Sequence, residues 1–130
     1  MPERPGAYAF AAGEGWTYSH GIDFVVKARE TGSDMGVAVL EYVTKKGEEP
    51  RDHTHQTEDE MFYVLEGALT FRCRDESFDI DEGGFVFLPY GVTHGYTIRS
   101  DGDVRLLVVT SPPREASGGW DGFVGDMERT

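Results

Sequence analysis

Residues 47–67 read GEEPRDHTHQTEDEMFYVLEG and contain two histidines, His53 and His55, that are separated by one residue. Alternate side chains of an extended strand point to the same face, so we expect both imidazoles to aim at one point. Glu60 follows five residues after His55. Two imidazoles and a carboxylate that converge inside a β-structure outline a site for a first-row transition metal.

A second informative stretch, residues 83–98, reads GGFVFLPYGVTHGYTI. Pro89 and Gly91 predict a tight turn after a strand, and His94 begins the next strand. His94 completes a set of three imidazoles and one carboxylate, which suits iron, manganese, nickel, copper or zinc. Four protein ligands on an octahedral ion leave positions open for water, dioxygen or a substrate. The fourth histidine, His20, has no comparable partner pattern and is predicted to be a surface or hydrogen-bonded residue.

Short β-branched and apolar runs, bounded by turn residues, follow one another along the chain and indicate an all-β sandwich or barrel. The predicted strands cover residues 22–29, 36–44, 61–66, 68–74, 77–80, 85–88, 93–99 and 104–110. We expect the last two strands to pair as a hairpin. Only the tail has helical spacing, since its apolar residues stand at positions 120, 123, 124 and 127. We therefore predict a short C-terminal helical segment.

At 130 residues the chain fits one domain, and no linker or internal repeat divides it. We predict an N-terminal covering segment over residues 1–21, a β-barrel over 22–111 and a tail over 112–130 that belongs to the same domain. In the covering segment, Trp16 and Tyr18 are expected to pack over the barrel.

Composition excludes several partner classes. The formal net charge of −12 argues against a nucleic-acid partner, because such binding needs a positively charged face. The single cysteine, Cys73, cannot form an internal disulfide, and its strand-like surroundings favour a buried, unreactive thiol. The apolar run AYAFAA near the N-terminus is too short for a signal peptide or a membrane span. We therefore predict a cytoplasmic protein without nucleic-acid or membrane partners.

The two quoted stretches resemble the paired motifs of the cupin superfamily, with the short spacing of its small single-domain microbial members. The first motif, a glycine, a His-X-His pair, a glutamate and a second glycine, is matched by Gly47, His53, His55, Glu60 and Gly67. The second motif, a glycine, Pro-X-Gly, a histidine and a final asparagine, is matched at all but its last position by Gly83, Pro89, Gly91 and His94. Ile98 stands where the family pattern has asparagine.

The resemblance implies a jelly-roll barrel, the cupin double-stranded β-helix, with one divalent transition metal inside and a small-molecule substrate entering at one mouth. The metal ligands that it implies are His53, His55, Glu60 and His94. Glu58 competes with Glu60 for the carboxylate position, but the spacing to Gly67 favours Glu60 and leaves Glu58 in a solvated entry loop. The resemblance also implies a homodimer, formed through strands near the N-terminus.

Strand parity predicts which side chains surround the metal. Tyr96 and Ile98 follow the third histidine by two and four residues, so both are expected to face inward. Phe62 and Val64 share the face of Glu60. We therefore predict a largely apolar and aromatic substrate pocket, with contributions from Phe62, Val64 and Ile98. Glu60 and Tyr96 are the candidate catalytic groups.

Three functions are compatible with this site. The ligand set resembles that of quercetin-dioxygenase-like cupins, which favours a metal-dependent dioxygenase acting on a small enolic, phenolic or thiol substrate, with Glu60 as base. A non-redox isomerase, cyclase or lyase would use the ion to stabilise an enolate, while Glu60 or Tyr96 moves a proton. A non-catalytic cupin would bind a small molecule without turnover.

Overall fold

Two antiparallel sheets form the body of the protein. The computed structural model describes residues 7–28, 37–111 and 123–127. The strands within these residues are β1 (Trp16–His20), β2 (Ile22–Ala28), β3 (Ala38–Thr44), β4 (Glu60–Glu66), β5 (Leu69–Cys73), β6 (Glu76–Ile80), β7 (Phe85–Leu88), β8 (His94–Ile98) and β9 (Val104–Thr110). Residues 123–127 form a short helix, α1.

The strands are not in chain order within the sheets. The larger sheet has six strands in the order β1-β2-β3-β9-β4-β7, and the smaller has three in the order β6-β5-β8. The pairings are antiparallel throughout. Two facing antiparallel sheets with such crossings make a jelly-roll barrel. The predicted all-β jelly-roll barrel with a short C-terminal helix is thus confirmed.

Alternation along the strands builds the core between the sheets. On β3 and β9 every second side chain is buried. These two strands pair in register, so Leu40 lies opposite Val108 and both face the core. Phe62 of the larger sheet contacts Phe71 and Tyr96 of the smaller one, with ring centroids 5.1 and 6.1 Å away. The period of two that predicted the strands is therefore also the period of burial.

The predicted hairpin of the last two strands is wrong. β8 pairs with β5 in the smaller sheet, whereas β9 lies between β3 and β4 in the larger one. The chain crosses between the sheets after β8, where the amides of Arg99 and Ser100 both donate to the carbonyl of Ala68, at 2.8 and 3.3 Å. A run of turn residues does not distinguish a hairpin from such a crossing, because both need a local bend.

The segment predicted as an N-terminal cover contains an edge strand. β1 pairs with β2, and Tyr18 lies opposite Phe24. Of the two predicted covering residues, Tyr18 packs against the core, whereas Trp16 is 42% exposed and contacts the ring of Tyr8 edge-on. The sequence WTYSH does alternate ring and hydroxyl side chains, as a strand would, but it has only five residues between two glycines and was predicted as part of the cover.

The predicted helical tail is described only in part: position 120 lies outside the described residues, and positions 123, 124 and 127 lie in α1. Cys73, at the end of β5, is buried, and burial raises the pKa of its thiol, as expected for an unreactive group. Among the described residues, no helix has the length and apolar character needed to cross a membrane.

Candidate metal centre

Backbone hydrogen bonds bring the three histidines together. His53 and His55 lie in a loop and not on a regular strand as predicted, and His53 forms a single antiparallel bridge with His94. The amide of each of these two residues donates to the carbonyl of the other at 2.9 Å. The carbonyl of His55 accepts from the amide of Gly91 at 2.8 Å. The loop is therefore bonded at two places to the segment that carries the third histidine.

Glu60 is held between two neighbouring strands. It is the first residue of β4, and it pairs with Leu88 on β7 and with Thr110 on β9. Its side chain is buried inside the barrel. A central position in a sheet fixes the direction of the carboxylate, which faces the histidines.

The four predicted ligands form one buried cluster. One candidate ligand atom from each of His53, His55, Glu60 and His94 lies within 4.8 Å of the others. Oε1 of Glu60 lies 3.0 Å from Nε2 of His94 and 3.7 Å from Nε2 of His55. The His53 ring centroid lies 4.9 Å from that of His55 and 4.7 Å from that of His94. Atoms at this separation can converge on one ion.

Hydrogen bonding in the cluster favours metal ligation. Nδ1 of His53 lies 2.8 Å from the carbonyl oxygen of Arg51, to which it donates, so Nε2 presents its lone pair to the cluster. Nε2 of His55, Nε2 of His94 and Oε1 of Glu60 are buried and have no hydrogen-bond partner among the described residues. Buried polar atoms of this kind require compensation, which a shared cation supplies. The donor set therefore fits a divalent transition metal.

The protonation states also suit a metal. Burial lowers the pKa of His55 to about 4, so its imidazole is neutral at pH 7. For Glu60, burial by itself would raise the pKa, but contact with His94 and the nearby His55 outweighs burial and holds it below its usual value. Neutral imidazoles and an ionised carboxylate are the forms that bind metal.

Glu58 does not occupy the predicted solvated loop position. Its side chain is 1% exposed, and its Oε1 accepts a hydrogen bond from the hydroxyl of Thr57 at 2.5 Å. It is not a member of the four-residue cluster. The expectation that this carboxylate stays solvated is wrong, because the loop before β4 buries its side chain.

A cavity of about 470 Å³ adjoins the cluster, a size that suits a small organic molecule. His53 and Glu60 form part of its wall, and apolar and aromatic groups form most of the remainder. Side chains of three structural elements also line the cavity: Tyr18, His20 and Phe24 from the β1–β2 pair, Leu40 and Tyr42 from β3, and Phe123, Val124 and Met127 from α1. His20, which we expected at the surface, is exposed at this cavity.

The predicted pocket residues divide into two groups. Phe62 and Tyr96 line the cavity. Val64 and Ile98 are buried in the core and are not among the described residues that line the cavity. Val64 follows Glu60 by four residues, or about 13 Å along a strand, so it lies deeper in the barrel than the cluster does. Ile98, which stands where the family pattern has asparagine, therefore adds an apolar side chain to the core.

Tyr96 has a partner that the sequence did not reveal. Its hydroxyl oxygen lies 2.9 Å from that of Tyr42, and both side chains line the cavity. Burial raises the pKa of both phenols, so both stay protonated at neutral pH. Parity on β3 places Tyr42 inward, but nothing in the sequence indicates which residue on the opposite sheet it meets.

Helix α1 also reaches the cluster. The ring of Phe123 stacks on that of His55, with centroids 3.8 Å apart and planes 5° from parallel. Oδ2 of Asp126 lies 3.5 Å from Nδ1 of His55. Neither residue was predicted to belong to the site. Helical spacing in the tail predicts a helix but does not indicate which part of the barrel that helix packs against.

Fold and site together define a class of protein: an antiparallel β-barrel that encloses three imidazoles and one carboxylate suited to a metal. The family model described as "Cupin domain" matches residues 40–110, which include the whole cluster. The chain therefore belongs to the cupin family, as the motifs predicted.

Two relatives match the chain. The chain is 31% identical over 85 residues to the uncharacterized protein SCO3923 of Streptomyces coelicolor, a match that covers 65% of this chain and 75% of the relative. It is 27% identical over 101 residues to quercetin 2,3-dioxygenase of Bacillus subtilis, which covers 77% of this chain but only 30% of that enzyme. The match to the dioxygenase thus concerns a part of a longer protein.

Solved structures support the same fold. Pac13 of Streptomyces, described as a nucleoside dehydratase, superposes with a TM-score of 0.65 over 88% of this chain and 89% of its own. The two sequences are 16% identical, so this likeness concerns the fold alone.

Proposed function

We propose that this protein is a metal-dependent dioxygenase that acts on a small enolic, phenolic or thiol-bearing organic substrate. The observation that carries the proposal is that the buried cluster adjoins an aromatic cavity of about 470 Å³, with His53 and Glu60 in the cavity wall. The distant likeness to quercetin 2,3-dioxygenase supports the same reaction class. Dioxygen is the oxidant, and both of its atoms enter the product.

His53, His55, Glu60 and His94 would hold the ion, which is iron, manganese, nickel, copper or zinc. When bound, such an ion supplies Lewis acidity toward a substrate anion and, if it is redox-active, a route for electrons to dioxygen. The chain supplies orientation and proton transfer.

Glu60 is suited to act as the base. Its neighbouring histidines keep its carboxylate ionised, and it lies in the cavity wall where a substrate hydroxyl or thiol would be presented. Removal of that proton makes the substrate anionic. The apolar walls, including Phe24 and Phe62, exclude water from the reactive anion.

The hydroxyl groups of Tyr42 and Tyr96 are suited to bind a substrate oxygen. They remain protonated, so either can donate a hydrogen bond while accepting one from the other. Such a pair orients a planar substrate in the aromatic cavity.

An oxygen-uptake screen tests this proposal. The protein is loaded separately with iron, manganese, nickel or copper and mixed with flavonols, β-diketones and thiols. We expect one substrate to disappear in step with dioxygen, and we expect no uptake from the His94→Ala variant under the same conditions. Failure of all loaded forms to consume oxygen across the panel would contradict the dioxygenase proposal.

A non-redox isomerase, cyclase or lyase is the second candidate. The cavity wall holds an ionised carboxylate, that of Glu60, which can accept a proton, and two protonated phenols, those of Tyr42 and Tyr96, which can donate one. This combination favours the second candidate. The fold likeness to a dehydratase is compatible with such chemistry. Turnover by the zinc-loaded protein under anaerobic conditions would select this function, and tight ligand binding without product would indicate a non-catalytic binding protein.

The homodimer and the cytoplasmic location remain proposals. The exposed Trp16 lies on edge strand β1, and an edge strand with exposed apolar surface can be covered by a second copy. Analytical ultracentrifugation tests dimer formation, and a Trp16→Glu variant should shift the equilibrium toward monomer if this edge is the interface.

A further inference from the structure

His55 is the ligand whose surroundings come from the most distant part of the chain. Its ring is 1% exposed and lies flat against Phe123, with centroids 3.8 Å apart and planes 5° from parallel. Phe123 is itself buried, and the neighbouring Val124 and Met127 line the cavity. Helix α1 therefore covers one face of the His55 ring and closes one side of the site.

Asp126 faces the nitrogen of His55 that points away from the cluster. Its Oδ2 lies 3.5 Å from Nδ1 of His55, while Nε2 on the other side of the ring lies 3.7 Å from Oε1 of Glu60. The same Oδ2 accepts a hydrogen bond from the amide of Gln56 at 2.9 Å, which anchors the carboxylate beside the ring. Asp126 is buried, so its charge acts on His55 with little screening by water.

His53 is oriented differently. Nδ1 of His53 donates to the carbonyl of Arg51, which belongs to the same loop. Nδ1 of His55 forms no hydrogen bond among the described residues, and the carboxylate that lies 3.5 Å from it, that of Asp126, comes from α1. Metal-binding histidines generally direct the second nitrogen at a carboxylate or carbonyl, which sets the tautomer and the ring direction.

We propose that Asp126 and Phe123 are positioning residues of the metal centre: Asp126 directs the Nδ1 proton of His55 so that Nε2 is free to ligate, and Phe123 holds the plane of the ring. Helix α1 is then part of the metal site and not only a cover for the barrel. This inference rests on metal binding by the four-residue cluster, and it does not depend on which reaction the protein performs.

Metal affinity is the first test. Zinc and iron(II) dissociation constants are measured by chelator competition for the full-length protein and for Asp126→Ala. We expect metal affinity to fall by about 10- to 100-fold, as it does when other carboxylates that contact a metal-binding histidine are removed. Asp75→Ala, which removes an equal charge from an exposed turn, is the matched control and should change affinity less than about twofold. If Asp126→Ala bound metal as tightly as the unmodified protein, the proposal would be overturned.

The tautomer of His55 separates positioning from general stabilisation. Nitrogen-15 NMR of the zinc-loaded protein should show His55 protonated at Nδ1. In Asp126→Ala we expect the His55 signal to shift or broaden, while His53, whose Nδ1 is held by Arg51, stays unchanged. A merely structural role would lower the melting temperature without changing the tautomer, and an unchanged His55 signal would therefore count against the proposal.

Two conservative variants keep the test decisive if Asp126→Ala fails to fold. Asp126→Asn keeps an acceptor oxygen for Nδ1 and should retain more metal affinity than the alanine variant. Phe123→Leu keeps apolar volume but loses the flat ring contact, so its metal affinity should fall while its core remains filled. Full affinity in Phe123→Leu would overturn the role of the ring, and an affinity of Asp126→Asn no higher than that of Asp126→Ala would overturn the role of the acceptor oxygen, whether or not the dioxygenase assay succeeds.

Discussion

His53 and His94 are joined by a reciprocal pair of backbone hydrogen bonds, in which each amide donates to the other residue's carbonyl at 2.9 Å. The bonds connect the loop that precedes β4 to the first residue of β8. They hold the two imidazole centroids 4.7 Å apart. Because main-chain atoms make this connection, a side-chain substitution at either residue should test ligation without separating the two segments.

Replacement of His94 by alanine should therefore abolish metal retention with little change in fold. We expect bound metal to fall by about tenfold or more, measured by elemental analysis after gel filtration. His20→Ala is the matched control, because His20 lines the same cavity but lies outside the cluster. Undiminished metal in His94→Ala, or equal losses in both variants, would contradict the assignment of the ligands.

The stability of the metal-free protein should depend on pH through His55. Burial, together with the neighbouring imidazoles, lowers the pKa of this side chain from 6.5 to about 4, against the opposing charge of Glu60. The unfolded chain takes up a proton below pH 6.5 that the folded chain does not accept until about pH 4. Stability should therefore fall as the pH drops through this window.

The loss attributable to His55 should reach about 3 kcal/mol, on the order of the proton-linkage energy for such a shift. Urea denaturation at several pH values measures it, and comparison with His55→Gln isolates it from the other acidic groups. An identical pH dependence in that variant would show that His55 is not the source.

Two glycines of the first motif should differ in their tolerance of alanine. Both have left-handed backbones, with φ of 94° at Gly47 and 102° at Gly67. A Cβ at Gly67 would meet Cγ2 of Val104 at 2.7 Å, whereas a Cβ at Gly47 has no atom within 4 Å. Gly47→Ala should cost about 1 kcal/mol of backbone strain. Gly67→Ala should cost about 2 kcal/mol or more, because steric overlap is added.

Thermal or urea denaturation of the two glycine variants tests this order. Equal destabilisation would mean that the strand end at Gly67 relaxes away from Val104, and it would contradict the prediction.

The hydroxyl pair of Tyr42 and Tyr96 should behave as one unit. Either single substitution by phenylalanine leaves the other buried hydroxyl without this partner, at a cost of about 1 to 2 kcal/mol. The double variant should be less destabilised than the sum of the single variants. Metal content should not change, while turnover of any substrate found should fall about 10²-fold in Tyr96→Phe. Additive effects on stability would contradict the coupling.

Several features of the site were predictable because they depend on short stretches of chain. The ligand types and their spacing stand within residues 47–67 and 83–98. Strand parity correctly directed Phe62 and Tyr96 toward the cavity, since alternation is a local property of extended backbone. Parity could not measure depth, so it did not distinguish these residues from Val64 and Ile98, which face inward but lie in the core.

Other features could not be obtained from local patterns. Glu58 was expected in water because acidic residues near a turn usually are, yet the loop before β4 buries its side chain. The separation of β8 and β9 into different sheets depends on which strands they meet, and the residues between them only show that the chain bends.

The amino-acid sequence by itself determined the family, the β-barrel class and the four residues of the candidate metal cluster, His53, His55, Glu60 and His94. It could do so because period-two burial and motif spacing are properties of neighbouring residues. Tertiary structure alone decided that Tyr42 meets Tyr96 and that Phe123 and Asp126 meet His55. These contacts join residues far apart in the chain. Their formation depends on how the two sheets and α1 pack together, and packing between distant elements leaves no periodic mark in the sequence.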